Sequence, residues 1–126
     1  MGERLANNAE LIFQDCFIPD ENVVGEVGNG FNVLAKFFPQ SNAYAGASVL
    51  GVAEACYTKA VDWAKIRVQG GKPIIEHDGI RAQLAEMRML IDASRSYIHR
   101  ACYLADHQEL GWDKTLGDLP KTMAYQ

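Results

Sequence analysis

The sequence predicts a mainly α fold: an antiparallel hairpin of two long helices from a four-helix-bundle domain, preceded by one β-strand segment. Two apolar stripes at helical spacing carry that reading, one from Val49 to Ala64 and one from Ile80 to Ala105. Between them lies a short loop, Gly70-Gly71-Lys72-Pro73, which returns the second helix alongside the first. The 126 residues suit one small domain or part of a larger protein, and an apolar share of 48% is enough for a core.

Glu10–Pro19 alternates imperfectly through Leu11, Phe13, Cys16, Phe17 and Ile18, and reads as a strand ended by Pro19 and the turn-forming Asp20-Glu21-Asn22. A single strand cannot bury its faces alone, so it asks for a sheet supplied from elsewhere. Gly25–Gly30 is a glycine-rich turn. It lacks the βαβ setting of a dinucleotide fingerprint, and Val33 stands where the third glycine would be. A short helix over Phe31–Phe38 should stop at Pro39.

Ser41 or Asn42 can cap the next helix, predicted to reach Val68. Its apolar stripe is Val49, Val52, Ala53, Cys56, Ala60, Trp63 and Ala64, set among small residues that let another backbone come close. Gly70-Gly71 should end it in a left-handed cap, and Pro73 delays the next helix. That helix is predicted from Glu76 to His107, with Ile80, Leu84, Met87, Ile91, Ser94, Ile98, Ala101 and Ala105 as its seam, in alternating steps of four and three. Glu109–Asp118 reads as a loop, and Pro120 as the first position of a helix begun over Lys121–Gln126. The unpartnered strand and this helix of about two turns lead to the expectation that the chain is a piece of a longer protein.

Composition excludes several classes. A net charge of −4 with scattered Lys and Arg argues against nucleic acid as a partner. No run approaches the ~20 apolar residues of a membrane span, and the start lacks a signal-peptide pattern. A cytoplasmic location follows, or the mitochondrial matrix in a eukaryote. Cys16, Cys56 and Cys102 form no framework and read as small buried hydrophobes. His77, His99 and His107 lack metal-ligand spacing, so no metal is expected. No nucleophile motif or carboxylate pair stands out, and no catalytic residue is assigned.

The order of motifs resembles the acyl-CoA dehydrogenase family of flavoproteins. Asn22-Val23-Val24-Gly25-Glu26-Val27-Gly28-Asn29-Gly30-Phe31 matches that family's segment after the middle β-domain. Leu50-Gly51-Val52-Ala53 matches the core of its Ala-rich helix, and Arg67-Val68-Gln69-Gly70-Gly71-Lys72-Pro73 its Arg-x-x-Phe-Gly-Lys-Pro loop. Glu76-His77-Asp78 and Leu84-Ala85-Glu86-Met87 follow in the family's order. The resemblance implies two parts: residues 1–24 as the last strand of the β-domain with its linker, and 25–126 as part of the C-terminal helical bundle.

It also implies a function: α,β-dehydrogenation of an acyl-CoA thioester with hydride transfer to FAD, electron-transfer flavoprotein as acceptor, and a homo-oligomer. In that family the loop arginine reaches the FAD pyrophosphate of a neighbouring subunit, and Arg67 inherits the position. Gln69, Gly70, His77, Asp78 and Ile80 would line the same surface, and Phe38 and Asn42 are the candidate substrate contacts. Four departures accompany the match. Gly70 replaces an aromatic residue, and Asp78 replaces a frequent Gln. Pro39 and Asn42 stand where the family carries Asp-x-x-Arg, and Ser41 stands where some members carry the base. The commoner base lies beyond Gln126, so the isolated chain is expected to be inactive. The alternatives are a flavin monooxygenase or nitroalkane-oxidase relative of the same fold, and a non-enzymatic helical oligomerisation module.

Overall fold

Three helices make the fold, in a computed structural model that describes residues 9–124. Residues 1–8 of the expected strand-and-linker portion, and 125–126 of the last predicted helix, lie outside the described residues. Helix α1 spans Gly30–Ile66, α2 spans Asp78–Asp106 and α3 spans Lys114–Ala124. Between α1 and α2, β1 (Val68–Gln69) and β2 (Lys72–Pro73) form a two-stranded antiparallel hairpin. Among the described residues no helix is long and apolar enough to cross a membrane.

α1 and α2 are antiparallel neighbours, as the two stripes require. The seam of α2 falls where the four-three spacing puts it: Ile91, Ser94, Ile98 and Ala101 are buried, and Ile80, Leu84, Met87 and Ala105 half-buried. Leu50 of α1 closes a cluster with Ile91 and Ile98, flanked by Ala53 and Tyr57. The stripe of α1 differs from the expected one. Val52, Cys56 and Trp63 are exposed, and the inward positions are Ala43, Gly46, Leu50, Ala53, Tyr57, Ala60 and Ala64. α1 is apolar on several sides, so two stripes compete. The one with smaller residues wins, because close-packed neighbours gain more contact there.

Glu10–Pro19 is not a strand here. It is exposed, unpaired chain bent at Gln14-Asp15, with Asp15 in the left-handed region at φ 49°. A strand's N–H and C=O groups need a neighbouring strand, and no described segment supplies one.

Pro39 does not stop a helix. α1 runs through it as one 37-residue rod of about 55 Å. Ser41 caps nothing; its Oγ donates to the Phe38 carbonyl at 3.0 Å. The lost backbone hydrogen bond is offset because α3 seats on the proline: Gly117 lies against the Pro39 backbone, and Pro120 is fully buried beside Gly46. Proline inside a helix is tolerated where tertiary packing replaces what it removes.

The last helix likewise begins before its predicted start. Gln108–Leu110 is a 3-10 turn, Gly111 reverses the chain at φ 97°, and α3 starts at Lys114 with Pro120 in its interior. Asp113 is the missed start signal. Its Oδ1 accepts from both the Thr115 N–H and Oγ1 at 2.7 Å, an N-terminal cap. The cysteines are also corrected. Cys16, Cys56 and Cys102 are all exposed, Cys16 on the unpaired segment and the other two just off their helices' inward stripes.

Candidate cofactor-binding site

The loop between α1 and α2 is built from backbone hydrogen bonds rather than from a simple helix cap. α1 ends at Ile66, and the Arg67 N–H donates to the Trp63 carbonyl at 2.9 Å. The Arg67 carbonyl accepts from the Ile74 N–H at 2.8 Å, which closes the hairpin at its base. Gly70 and Gly71, expected as a helix cap, are the two central residues of the turn, with φ of 60° and 81°. Two successive left-handed residues define the type I′ turn that matches strand twist, and glycine adopts it without steric cost.

The imidazole of His77 then pins the turn to α2. Its Nε2 lies 2.9 Å from the Gln69 carbonyl, and the ring covers Gly70, where a Cβ would meet Cε1 at 3.3 Å. A carbonyl only accepts, so Nε2 carries the proton and Nδ1 is left as an acceptor in the neutral ring. Lys72 Nζ donates to the Glu76 carbonyl at 3.0 Å, a second tie across the same loop. Asp78 opens α2, where a carboxylate suits the positive end of the helix dipole, and it pairs with Arg81 one turn on.

Gln69, Gly70 and His77 are thus in direct contact. Asp78 faces Arg81, and Ile80 is half-buried on the α2 seam. The Arg67 side chain is exposed and forms no ion pair among the described residues. Phe38 and Asn42 are elsewhere. Phe38 is 46% exposed, and Asn42 Nδ2 donates to Asp118 Oδ1 at 2.6 Å, fastening α1 to α3. Asn42 and Arg67 are 25 residues apart on or just past α1, about 38 Å along its axis, so the two groups of candidates do not converge within this chain.

One polar cluster went unnoticed in the sequence. Arg88 donates from Nε to Asp92 at 2.8 Å and from a terminal nitrogen to Glu54 at 3.1 Å, and its guanidinium lies 5.8 Å from the Tyr57 ring centroid. Arg95 reaches the other Glu54 oxygen, so one α1 carboxylate holds two arginines of α2. The signal was available: Arg88 and Asp92 are four apart, and Arg88 and Arg95 seven apart, beside the seam.

Hydrogen bonding from Arg88 holds the Asp92 carboxyl below the usual range, and bonds from Thr115 do the same for Asp113. A folded pKa below the unfolded one gives stability that is present at neutral pH and lost as pH falls through the lowered value. Thermal midpoints should therefore hold steady down to about pH 4 and then decline. Circular dichroism melts of the chain and of Asp92→Asn check this. The variant should lose less between about pH 5 and pH 3 than the parent chain, and an equal loss would show that Asp92 does not contribute.

The α1–α2 hairpin is thus a tight, cross-braced loop between two long helices, with the Arg67 guanidinium exposed and in no ion pair among the described residues. The profile of the acyl-CoA dehydrogenase C-terminal domain matches residues 28–124. A short-chain specific acyl-CoA dehydrogenase of Megasphaera elsdenii is 39% identical over 101 residues, covering 80% of this chain and 26% of the relative. The mitochondrial short-chain specific enzyme of Sus scrofa is 34% identical over 109 residues, covering 86% of the chain and 26% of that protein. The solved structure of butyryl-CoA dehydrogenase from M. elsdenii superposes with a TM-score of 0.80 at 33% identity, over 90% of this chain and 29% of the other. This chain belongs to the acyl-CoA dehydrogenase family. It spans about a quarter of the length of the curated relatives it matches.

Proposed function

We propose that the chain is the helical part of an FAD-dependent acyl-CoA dehydrogenase and that its α1–α2 loop supplies half of a site for the FAD pyrophosphate. The observation that carries this reading is Arg67, an exposed guanidinium with no ion-pair partner among the described residues, on a loop whose backbone is hydrogen-bonded at both ends. The donor set fits a diphosphate. A guanidinium offers a planar fork for phosphate oxygens, and the Gln69 amide adds a neutral donor on the same hairpin. Asp78 would repel phosphate, but Arg81 engages it and offsets that charge. When bound, FAD accepts the hydride from the carbon β to the thioester.

The chain's own residues bind and orient. Arg67 grips the anion, the type I′ turn fixes its distance from α2, and His77 keeps the turn from swinging. The proton-abstracting carboxylate is assigned to no residue of this chain. Phe38, exposed near the start of α1, and Asn42 are the proposed acyl-CoA contacts; Asn42 gives one amide N–H to Asp118 and keeps its carbonyl oxygen as an acceptor. Broad apolar exposure, with Tyr44, Val52, Trp63 and Ile66 all more than half exposed, supports assembly with further helices in a homo-oligomer. Electron-transfer flavoprotein is the proposed acceptor, and the proposed location is the cytoplasm or, in a eukaryote, the mitochondrial matrix; the Sus scrofa relative is named as mitochondrial.

Arg67→Ala tests the proposal in the complete enzyme, with FAD affinity read from flavin fluorescence. Loss of a charge-assisted bond of about 1.5–3 kcal/mol predicts roughly 10- to 150-fold weaker FAD binding, with helicity unchanged. Arg67→Lys should recover only part of it, because an ammonium cannot form the fork. Unaltered FAD affinity in Arg67→Ala would remove Arg67 from the site.

A further inference from the structure

Where the three helices meet, a cavity of about 190 Å³ is lined by apolar side chains, among them Leu50, Met87 and Met123, and by Cys56 of α1 and Ser94 of α2. Among the described residues no charged side chain lines it. An apolar cavity of about 150 Å³ stays dry and takes benzene, so this one suits an uncharged molecule of about six to ten non-hydrogen atoms. Cys56 is the one cysteine of the three on this lining, and it is exposed.

Ser94 carries the one hydroxyl among the described lining residues, on a residue only 5% exposed. Ser96 and Thr58 turn their hydroxyls back to the carbonyl four residues earlier, at 2.9 and 3.0 Å, the usual habit in a helix. Ser94 forms no side-chain hydrogen bond among the described residues. No described polar side-chain atom that is sealed from solvent lacks a partner, so the unpaired Ser94 hydroxyl keeps an opening, and that opening is the cavity. The register of the pair sets the span. Leu50 packs with Ile91 and Ile98, and Glu54 bonds to Arg88 and Arg95, which puts Cys56 level with about residue 90 of α2. Ser94 then lies about four residues further along, ~6 Å at the helical rise. A conjugated O=C–C=C unit, hydrogen-bonded at its oxygen and touched by sulfur at its far carbon, spans that distance.

We propose that this cavity is a thiol-modification site for small uncharged α,β-unsaturated carbonyl compounds. Their apolar body sits among Leu50, Met87 and Met123, their oxygen on Ser94 and their β carbon on Cys56. The chemistry is conjugate addition. The Cys56 sulfur, as thiolate, forms an S–C bond to the β carbon, and the C=C π pair shifts to leave an enolate on the oxygen. The Ser94 O–H donates to that oxygen as its charge develops. The α carbon then takes a proton from solvent, replacing the one the thiol gave up. S–H has added across C=C, and nothing is oxidised or reduced. The site uses neither Arg67 nor Phe38 and Asn42, so it stands apart from the function proposed above.

The chain is reacted with 2-cyclohexenone and, separately, with acrylamide, which undergoes the same addition but has a polar body. Peptide mass spectrometry follows the rate at each cysteine. Cys56 should react with cyclohexenone at least about tenfold faster than Cys16 and Cys102, and within about threefold of them with acrylamide. Cyclohexanone, which fills the same space but lacks the conjugated carbon, should slow Cys56 alone. Ser94→Ala should slow cyclohexenone at Cys56 by about three- to tenfold, with helicity and the other two thiols unchanged. Protection by cyclohexanone needs no substitution, and it decides alone if Ser94→Ala loses helicity. Equal cyclohexenone rates at all three thiols overturn the proposal. So does a Cys56 preference that acrylamide shares, which would be reactivity of the thiol rather than a site. Failure of Cys56 to react with either reagent also overturns it, and means that another copy of the chain covers the cavity.

Discussion

Replacing Gly117 by alanine should detach α3 from α1 and cost about 3 kcal/mol or more, at the top of the range for overpacking. Gly117 is buried, and a Cβ there would lie within 2.5 Å of the Pro39 carbonyl carbon and 2.9 Å of its Cα. Both are backbone atoms of a proline inside a continuous helix, so neither can move aside as a flexible side chain would. In an unhindered helix the same change would gain about 1 kcal/mol from propensity. Gly51→Ala is the matched control, since nothing lies within 4 Å of its added methyl on α1. Thermal unfolding should rise or hold for Gly51→Ala and fall for Gly117→Ala. Trypsin should also cut the second variant sooner at Lys114 and Lys121 as α3 comes loose. Equal midpoints for the two variants would mean that α3 is not seated on Pro39.

That contact also explains what the sequence concealed. The α2 seam was legible because Ile91, Ser94, Ile98 and Ala101 share one face and few other apolar residues compete with them. Pro39 was misread because local rules treat proline as a stop, while the structure uses it as the seat for Gly117. The strand expected over Glu10–Pro19 was a sound reading of propensity, but strand structure depends on a partner that propensity cannot reveal. Gly70-Gly71 was recognised as needing left-handed backbone; whether that served a helix cap or a hairpin depended on the bond from Ile74 to Arg67.

The candidate site divides in the same way. Arg67, Gln69, Gly70 and His77 were placed on one surface by motif order, and they share one hairpin and its brace. The particular role of His77 was hidden, because an imidazole reaching a carbonyl eight residues back has no periodic signature. Asn42 is a candidate ligand contact by its position in the motif, and the bond from its amide to Asp118, 76 positions away, has no local signature.

Ile98→Ala should be the most damaging change in the core. Ile98 is 5% exposed and packs with Leu50 and Ile91, and among the described residues these are the large aliphatic members of a buried set that otherwise holds Ala43, Ala64, Ala101 and Pro120. Truncating a buried isoleucine to alanine costs about 2–5 kcal/mol, from lost transfer energy plus the cavity left behind. Domains are stabilised by only about 5–15 kcal/mol in total, and a core with three large aliphatic side chains among the described residues places this chain at the low end. The loss therefore consumes a large fraction of the folded state. Ile98→Val removes one methylene and should cost about 0.5–1.5 kcal/mol, so the pair separates cavity size from mere substitution. Urea unfolding followed by circular dichroism gives both values. Because the α1–α2 loop is held by its own backbone bonds, the damage should appear as a lower global midpoint and not as selective loosening around Arg67. Hydrogen exchange at Arg67 and Ile74, whose N–H groups donate within that loop, distinguishes the two. A cost below about 1 kcal/mol for Ile98→Ala would show that the Leu50–Ile91–Ile98 cluster is not what holds α1 and α2 together.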